Sequence, residues 1–313
     1  MLVDLLKYSR KLLRAFILEY TQYIHKFGWI KCLWVIKLKI GLKRRMMLMP
    51  KVSVIMGVYN GGKRVSRAIE SILNQTFTDF EFIICDDGSI DNSVEIVKEF
   101  AAKDNRIKLL QNPKNLGLAQ TLNNCLNVAS GEYIARMDDD DISHPERFSK
   151  QVAFLDSNPK YAIVGTSRNM YDDNGIWGID VKEGERTTLE IFLGRTFTHP
   201  SVMMRRKAVL DVGGYTTGPE TERTEDFDLW CKLYERGYKG FNLREVLLDY
   251  YEARSSYNKR KYKYRICEYK LKKKWHKRLG IPVKYLIYAY RPLLVGLIPV
   301  KILMKYHEKK FAK

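Results

Sequence analysis

Between residues 50 and 140 the chain alternates short apolar runs with segments of helical period. Lys51–Tyr59 (KVSVIMGVY) is apolar and β-branched, the pattern of a strand buried on both faces. Asn60-Gly61-Gly62 breaks it as a turn, and Lys63–Asn74 then sets Val65, Ala68, Ile69 and Ile72 on one helical face. Phe80–Cys85 reads as a second strand, ended by Asp86-Asp87-Gly88-Ser89. Asp91 or Asn92 stands where it can cap a helix whose apolar side is Val94, Val97 and Phe100. A strand over Ile107–Leu110, a helix over Leu118–Ala129 and a strand over Tyr133–Met137 complete a β-α-β-α-β-α-β order. That order predicts an α/β fold, a mostly parallel sheet with helices on both faces. Ligands in such sheets bind outside the carboxyl ends of the strands. Three loops lie there: Tyr59-Asn60, Asp86-Asp87 and the four carboxylates Asp138–Asp141.

The two flanks have a different texture. Residues 2–27 repeat bulky apolar side chains at intervals of three and four, and Lys7, Arg10, Lys11 and Arg14 form another stripe, the pattern of an interfacial amphipathic helix. Lysines interrupt Trp29–Ile40, so no apolar run of about 20 residues arises there. No small-residue cleavage site marks a signal peptide. At the other end, Tyr257–Arg278 mixes cations with aromatics, and Ile281–Met304 is apolar but broken by Lys284, Arg291, Pro292, Pro299 and Lys301. A bilayer span would hold Arg291 near its middle, which is costly, so broken interfacial helices are expected. Three segments result: a basic amphipathic extension over 1–49, a central domain over 50–252, and a basic, aromatic-rich, membrane-associating extension over 253–313.

Charge sharpens this division. The formal net charge is +19. Residues 1–49 hold 11 Lys and Arg against 2 acids, residues 253–313 hold 19 against 2, and residues 50–252 hold 25 against 32. The core is mildly acidic and the basicity lies in the flanks, which argues against a nucleic-acid-binding core. Basic, aromatic flanks suit anionic lipid headgroups; they are equally suited to pairing protomers. The five cysteines are scattered, with no CxxC pair to suggest zinc or a disulfide framework.

Within so basic a chain, Asp138–Asp141 needs a reason. Four adjacent carboxylates repel one another and are not expected to be buried unpaired. At a strand terminus a hard divalent cation, Mg2+ or Mn2+, would relieve them while leaving positions for water and substrate phosphates.

Taken together, VSVIMGVYN (52–60), SILNQTFTDFEFIICDDGSIDNS (71–93), NLG (115–117), GEYIARMDDDDISHPERF (131–148), HPSVMMRR (199–206) and TEDFDLW (224–230) resemble a family 2 glycosyltransferase with the GT-A fold. The resemblance implies inverting transfer of one sugar from a nucleotide donor, usually UDP-linked. It implies that Gly57, Tyr59 and Asn60 face the base and that Asp87 reads uracil. The family's DxD motif falls on Asp138-x-Asp140, or its pair on Asp139-Asp140 with Asp139 near the ribose. Either register makes Asp140 the metal ligand, and Asp141 then supports the site or caps the next helix. Asp226, at the start of a helix, falls on the catalytic base. Asp228 reads as an ordinary helix residue. His199 falls near the donor phosphates or is a packed strand-end histidine. The family's Tyr-Arg-His pattern is broken here, which leaves Arg254 without a clear phosphate role. No QxxRW motif of the processive synthases is present, which favours one sugar per encounter.

The expected enzyme is therefore a peripheral glycosyltransferase on the cytoplasmic face of the cell membrane. It would use Mn2+ or Mg2+ and a UDP-sugar, with a lipid-linked glycan acceptor, in cell-surface polysaccharide assembly and without nucleic-acid partners. A sugar-nucleotide nucleotidyltransferase is the alternative enzyme, but Gly61-Gly62-Lys63-Arg64 lacks the P-loop spacing. A non-catalytic membrane or nucleic-acid adaptor is the other alternative; metal-dependent UDP binding would exclude it.

Overall fold

The computed structural model describes residues 49–252 and 261–311. The helix expected over 2–27, Trp29, Trp34 and Arg254 lie outside the described residues.

The first half is a parallel sheet. β1 (Val52–Val58) lies between β2 (Phe80–Asp86) and β4 (Tyr133–Met137), with β3 (Ile107–Gln111) beyond β2. Period-two alternation sends side chains to both faces. Ile55, Ile83 and Ile134 join Leu122, Cys125 and Leu126 of α3 (Leu118–Val128) on one side. Val54, Met56, Phe82 and Ile84 meet Val65, Ala68, Ile69 and Ile72 of α1 (Arg64–Leu73) and Val97 of α2 (Ser93–Lys103) on the other. Burial on both faces is why these strands read as continuous apolar runs. At α2 it is Asp91, not Asn92, whose side chain accepts the Ser93 N–H, at 3.1 Å.

The second half is mixed. After β5 (Ile142–Ser143) and α4 (Arg147–Ser157), the long β6 (Tyr161–Asp172) runs parallel to β10 (Lys239–Tyr251). The short β9 (Met203–Arg205) is antiparallel to both β4 and β6 and joins the two halves. β7 (Gly175–Asp180) pairs with β6, and β8 (Gly184–Glu185) and β5 pair with β10. His199 sits in a 3-10 turn, His199–Ser201, rather than on a strand. α5 (Thr188–Leu193), α6 (Arg206–Asp211) and α7 (Glu225–Glu235) complete this half.

From Pro50 onward the chain is one compact unit. α8 (Tyr262–Arg278) puts Leu271 and Trp275 into the same core as Trp230 and Leu233 of α7. A 3-10 segment (Val283–Ala289), α9 (Arg291–Gly296) and α10 (Val300–Phe311) follow. Pro292 and Pro299 interrupt this apolar stretch, and no single described helix is long and apolar enough to cross a membrane.

Candidate active site

β1 has β2 on one side and β4 on the other, so the sheet's order reverses there and a crevice opens between the loops that follow. Those loops touch: Tyr59 N–H donates to Asp139 Oδ2 at 3.3 Å. A Cβ on Gly61 would stand 2.9 Å from the same oxygen, so glycine permits the approach. Asn60 sits at φ 53°. Its Oδ1 accepts the Ile90 N–H at 3.0 Å and its own N–H donates to Ser89 Oγ at 2.9 Å. It ties two loops together and lines neither cavity described below.

The crevice consists of two adjoining cavities of about 700 and 710 Å³. Gly57, Tyr59, Asp87 and the loop Asn115–Gly117 line the first; Asp140, His199 and Asp226 line the second; Asp138, Asp139 and Glu225 line both. Asp87 is buried, and its carboxylate accepts from Asn112 Nδ2 and Leu116 N–H at 2.8 Å and from Gly117 N–H at 2.9 Å. It holds the loop that forms the cavity wall. Asp86 Oδ2 accepts the Gly88 and Ser89 N–H groups at 3.0 and 3.1 Å, shaping its turn without lining the crevice.

The carboxylate run is balanced from beneath. Arg136, 1% exposed one residue before the end of β4, forms an ion pair with Asp138 and has Nε and Nη1 without hydrogen-bond partners. Burial works against its charge, but the attraction of Asp138 outweighs it and holds the guanidinium charged. Burial, then the charge of Asp138, pushes Asp139 up to about 7, and the same causes with Asp139 added push Asp140 to about 7. Asp141 is fully buried and raised by burial. Its Oδ1 accepts the Tyr251 N–H at 2.8 Å, anchoring β10, and its Oδ2 has no partner. Arg147, also fully buried, donates to the Arg136 carbonyl at 2.7 Å. Carboxylates this protonation-prone are what a cation would relieve. Among the described residues no three His, Cys, Asp or Glu side chains form a metal-ligating set.

The first turn of α7 lines the same crevice. Glu225 is pushed up to about 7 by burial and by Asp226, and Asp226 is raised by burial against its bond from Phe227 N–H at 2.7 Å. Asp228 is no ordinary helix residue. Fully buried, it accepts Thr216 Oγ1–H at 2.5 Å and Trp275 Nε1–H at 2.7 Å. His199 Nε2 is 2.8 Å from the Tyr215 hydroxyl, and its ring stands edge-on to Trp230. Burial and then the charge of Arg136 hold its pKa well below the ordinary value, so it meets the cavity as a neutral ring. Arg223, at φ 65°, lines both cavities from the loop before α7. A non-glycine residue in that conformation is strained, and nothing in the local sequence announces it.

Comparison with known proteins agrees with this geometry. Residues 53–214 match the model of Glycosyl transferase family 2. The chain is 40% identical over 262 residues to the glycosyltransferase EpsE of Bacillus subtilis, covering 83% of this chain and 94% of that one. It is 28% identical to the amylovoran biosynthesis glycosyltransferase AmsE of Erwinia amylovora, covering 82% and 98%. Among solved structures, S. aureus TarS 1-349 in complex with UDP-GlcNAc superposes with a TM-score of 0.62 at 20% identity, covering 79% of this chain and 71% of that one. The mannosyltransferase PcManGT of Pyrobaculum calidifontis, in complex with GDP-Man and Mn2+, gives 0.56 at 17%, covering 84% and 80%. A parallel sheet opening at its switch point, an acidic run at the end of β4 and this kinship agree: the chain belongs to glycosyl transferase family 2 and is a glycosyltransferase with the GT-A fold.

Proposed function

We propose that this enzyme transfers one sugar, with inversion, from a UDP-sugar to a hydroxyl of a lipid-linked glycan during cell-surface polysaccharide synthesis. The observation that carries this reading is the meeting of two acidic groups at one cavity, Asp138–Asp140 after β4 and Glu225-Asp226 at the start of α7. The first cavity takes the nucleoside, against Gly57, Tyr59 and the Asp87-braced loop. The donor phosphates lie toward Asp139 and Asp140, where a bound Mg2+ or Mn2+ would supply charge neutralisation of the leaving diphosphate.

Asp226 acts as general base. The acceptor oxygen forms a bond to the anomeric carbon, the bond from that carbon to the diphosphate breaks with its electron pair, and the hydroxyl proton passes to Asp226. One displacement inverts the centre. The raised pKa of Asp226 supports the role, because a base works best when its pKa approaches the working pH. The relatives support the setting: AmsE is an amylovoran and WbnJ of Escherichia coli an O-antigen biosynthesis glycosyltransferase.

The enzyme would sit peripherally on the cytoplasmic face of the membrane. Val283, Ile287, Leu294 and Leu297 are 65–79% exposed beside Lys284, Arg291 and Lys301, an apolar and cationic surface that fits anionic lipid. Calorimetric titration of UDP with and without Mn2+, on the full chain and on Asp140→Ala, tests the donor site. Metal-dependent binding lost in the variant is expected. Binding of GDP instead would move the donor class toward that seen in PcManGT, and no nucleotide binding would reject the reading.

A further inference from the structure

Five cations line the second cavity and not the first, Arg136, Arg168, Lys182, Lys261 and Arg265; among them Arg168 of β6 and Lys182, just after β7, stand together. The two share a carboxylate. Asp180 Oδ2 lies 3.4 Å from Arg168 Nε and 3.7 Å from Lys182 Nζ, and Asp180 is not part of the cavity wall. The contact to Arg168 is poorly aligned, and its Nε has no hydrogen-bond partner. Both side chains are largely buried, 19% and 21% exposed, so water screens them weakly. Both are also held in place. The Arg168 guanidinium lies 4.3 Å over the Tyr250 ring, and Lys182 Nζ donates to Thr198 Oγ1 at 3.3 Å. Burial, opposed by Asp180 and reinforced by Arg168 and Arg186, pushes Lys182 down to about 8. On the neighbouring α8, Arg265 is matched by Glu268 at 3.2 Å, and Glu252 and Lys261 offset one another in formal charge on the same wall. Arg136 is matched by Asp138 on the cavity wall, whereas the carboxylate that Arg168 and Lys182 share lies outside it.

Resting on the donor and acceptor assignment above, we propose that Arg168 and Lys182 form a subsite for an anionic group of the acceptor, a phosphate or a carboxylate close to the attacking hydroxyl. The donor phosphates belong to the wall that both cavities share, whereas these cations face only the cavity that also holds the base. An acceptor sugar on a phosphate stem and an acidic sugar would both satisfy them.

Ligand-observed NMR on the full chain, loaded with UDP and Mg2+, tests this with glucose 1-phosphate, glucuronic acid and methyl glucoside. One anionic sugar is expected to bind at least about tenfold tighter than the neutral glucoside. Which one does so identifies the source. Arg168→Met and Lys182→Gln, each checked for an unchanged unfolding midpoint, should abolish that preference while UDP affinity stays within about twofold. If one variant fails to fold, the other decides. Equal behaviour of the three sugars, whether all bind or none does, overturns the proposal, as does a preference that survives in the folded variants. A parallel loss of UDP affinity also overturns it and assigns the cations to the donor diphosphate. If UDP itself does not bind, the donor reading fails separately, and the same sugars on the unloaded protein and its variants still decide the subsite.

Discussion

Trp275 Nε1–H donates to Asp228 Oδ1 at 2.7 Å, and both side chains are fully buried. The bond fastens α8 to the helix whose first turn carries Glu225 and Asp226. Trp275→Phe keeps most of the packing but leaves a buried carboxylate oxygen unpaired, a cost of about 1–3 kcal/mol. Urea unfolding should show that loss. Removing residues 262–313 would also strip Leu271 and Trp275 from the core, so truncation is expected to yield insoluble protein rather than a clean loss of membrane binding.

Membrane association is better tested on the surface itself. Replacing Val283, Ile287, Leu294 and Leu297 together by Ser touches only exposed side chains, so the unfolding midpoint should hold. Cosedimentation with phosphatidylglycerol vesicles should fall by about tenfold or more, since each apolar group that reaches the lipid contributes on the order of 1 kcal/mol or more. Equal sedimentation of the variant would reject this face as the contact.

Asp140→Ala and Asp226→Ala should separate binding from chemistry. The first is expected to lose metal-dependent nucleotide binding. The second should retain it and lose about 10²- to 10⁴-fold in transfer rate, the range for removal of a general base. Transfer at the parental rate by Asp226→Ala would move the base elsewhere, with Glu225 the next group to test.

The buried Arg136 is the counter-charge for the acidic run. Arg136→Met should destabilise by about 3–5 kcal/mol, because Asp138 then lacks its partner. Adding Asp138→Asn should recover part of that loss. A double-mutant cycle with no coupling would mean the pair is not a unit.

Glu81 governs part of the acid response. It accepts Ser53 Oγ–H at 2.6 Å, Ser130 N–H at 2.7 Å and Lys108 Nζ–H at 2.6 Å. Burial alone would raise its pKa; these bonds outweigh burial and bring it from 4.5 down to about 2. A depressed folded-state pKa stabilises above the unfolded value and loses that contribution as pH falls through the folded one. The stability gap between the parent and Glu81→Gln should therefore be widest above about pH 5 and close toward about pH 2. A gap independent of pH would show that the Glu81 charge is not what stabilises.

Much of the site was legible because it is local. The loops after β1, β2 and β4 follow short apolar runs, so Gly57, Tyr59, Asp87, Asp138, Asp139 and Asp140 could be placed on one sheet edge from spacing and family likeness. Asp226 was legible as an acid in a first helical turn. The engagement of the Asn60 side-chain oxygen by the Ile90 N–H, 30 residues away, was not legible in the sequence. Arg136 and Asp228 were passed over for a related reason. An arginine inside YIARM and an aspartate inside DFDLW look like single polar positions, and only their distant partners make them buried charges. The arginine did carry a signal, since a lone cation in a strand otherwise buried on both faces calls for an anion nearby.

By itself the sequence determined the parallel half of the sheet, its crossover helices and the acidic crevice, because periodicity and turn chemistry act over a few residues. Only the tertiary structure decided the antiparallel insertion of β9, the packing of α8 over α7 and the pairing of Arg168 with Lys182 on one cavity wall. Those arrangements join residues far apart in the chain, and which long-range contacts form depends on the fit of whole faces rather than on any local pattern.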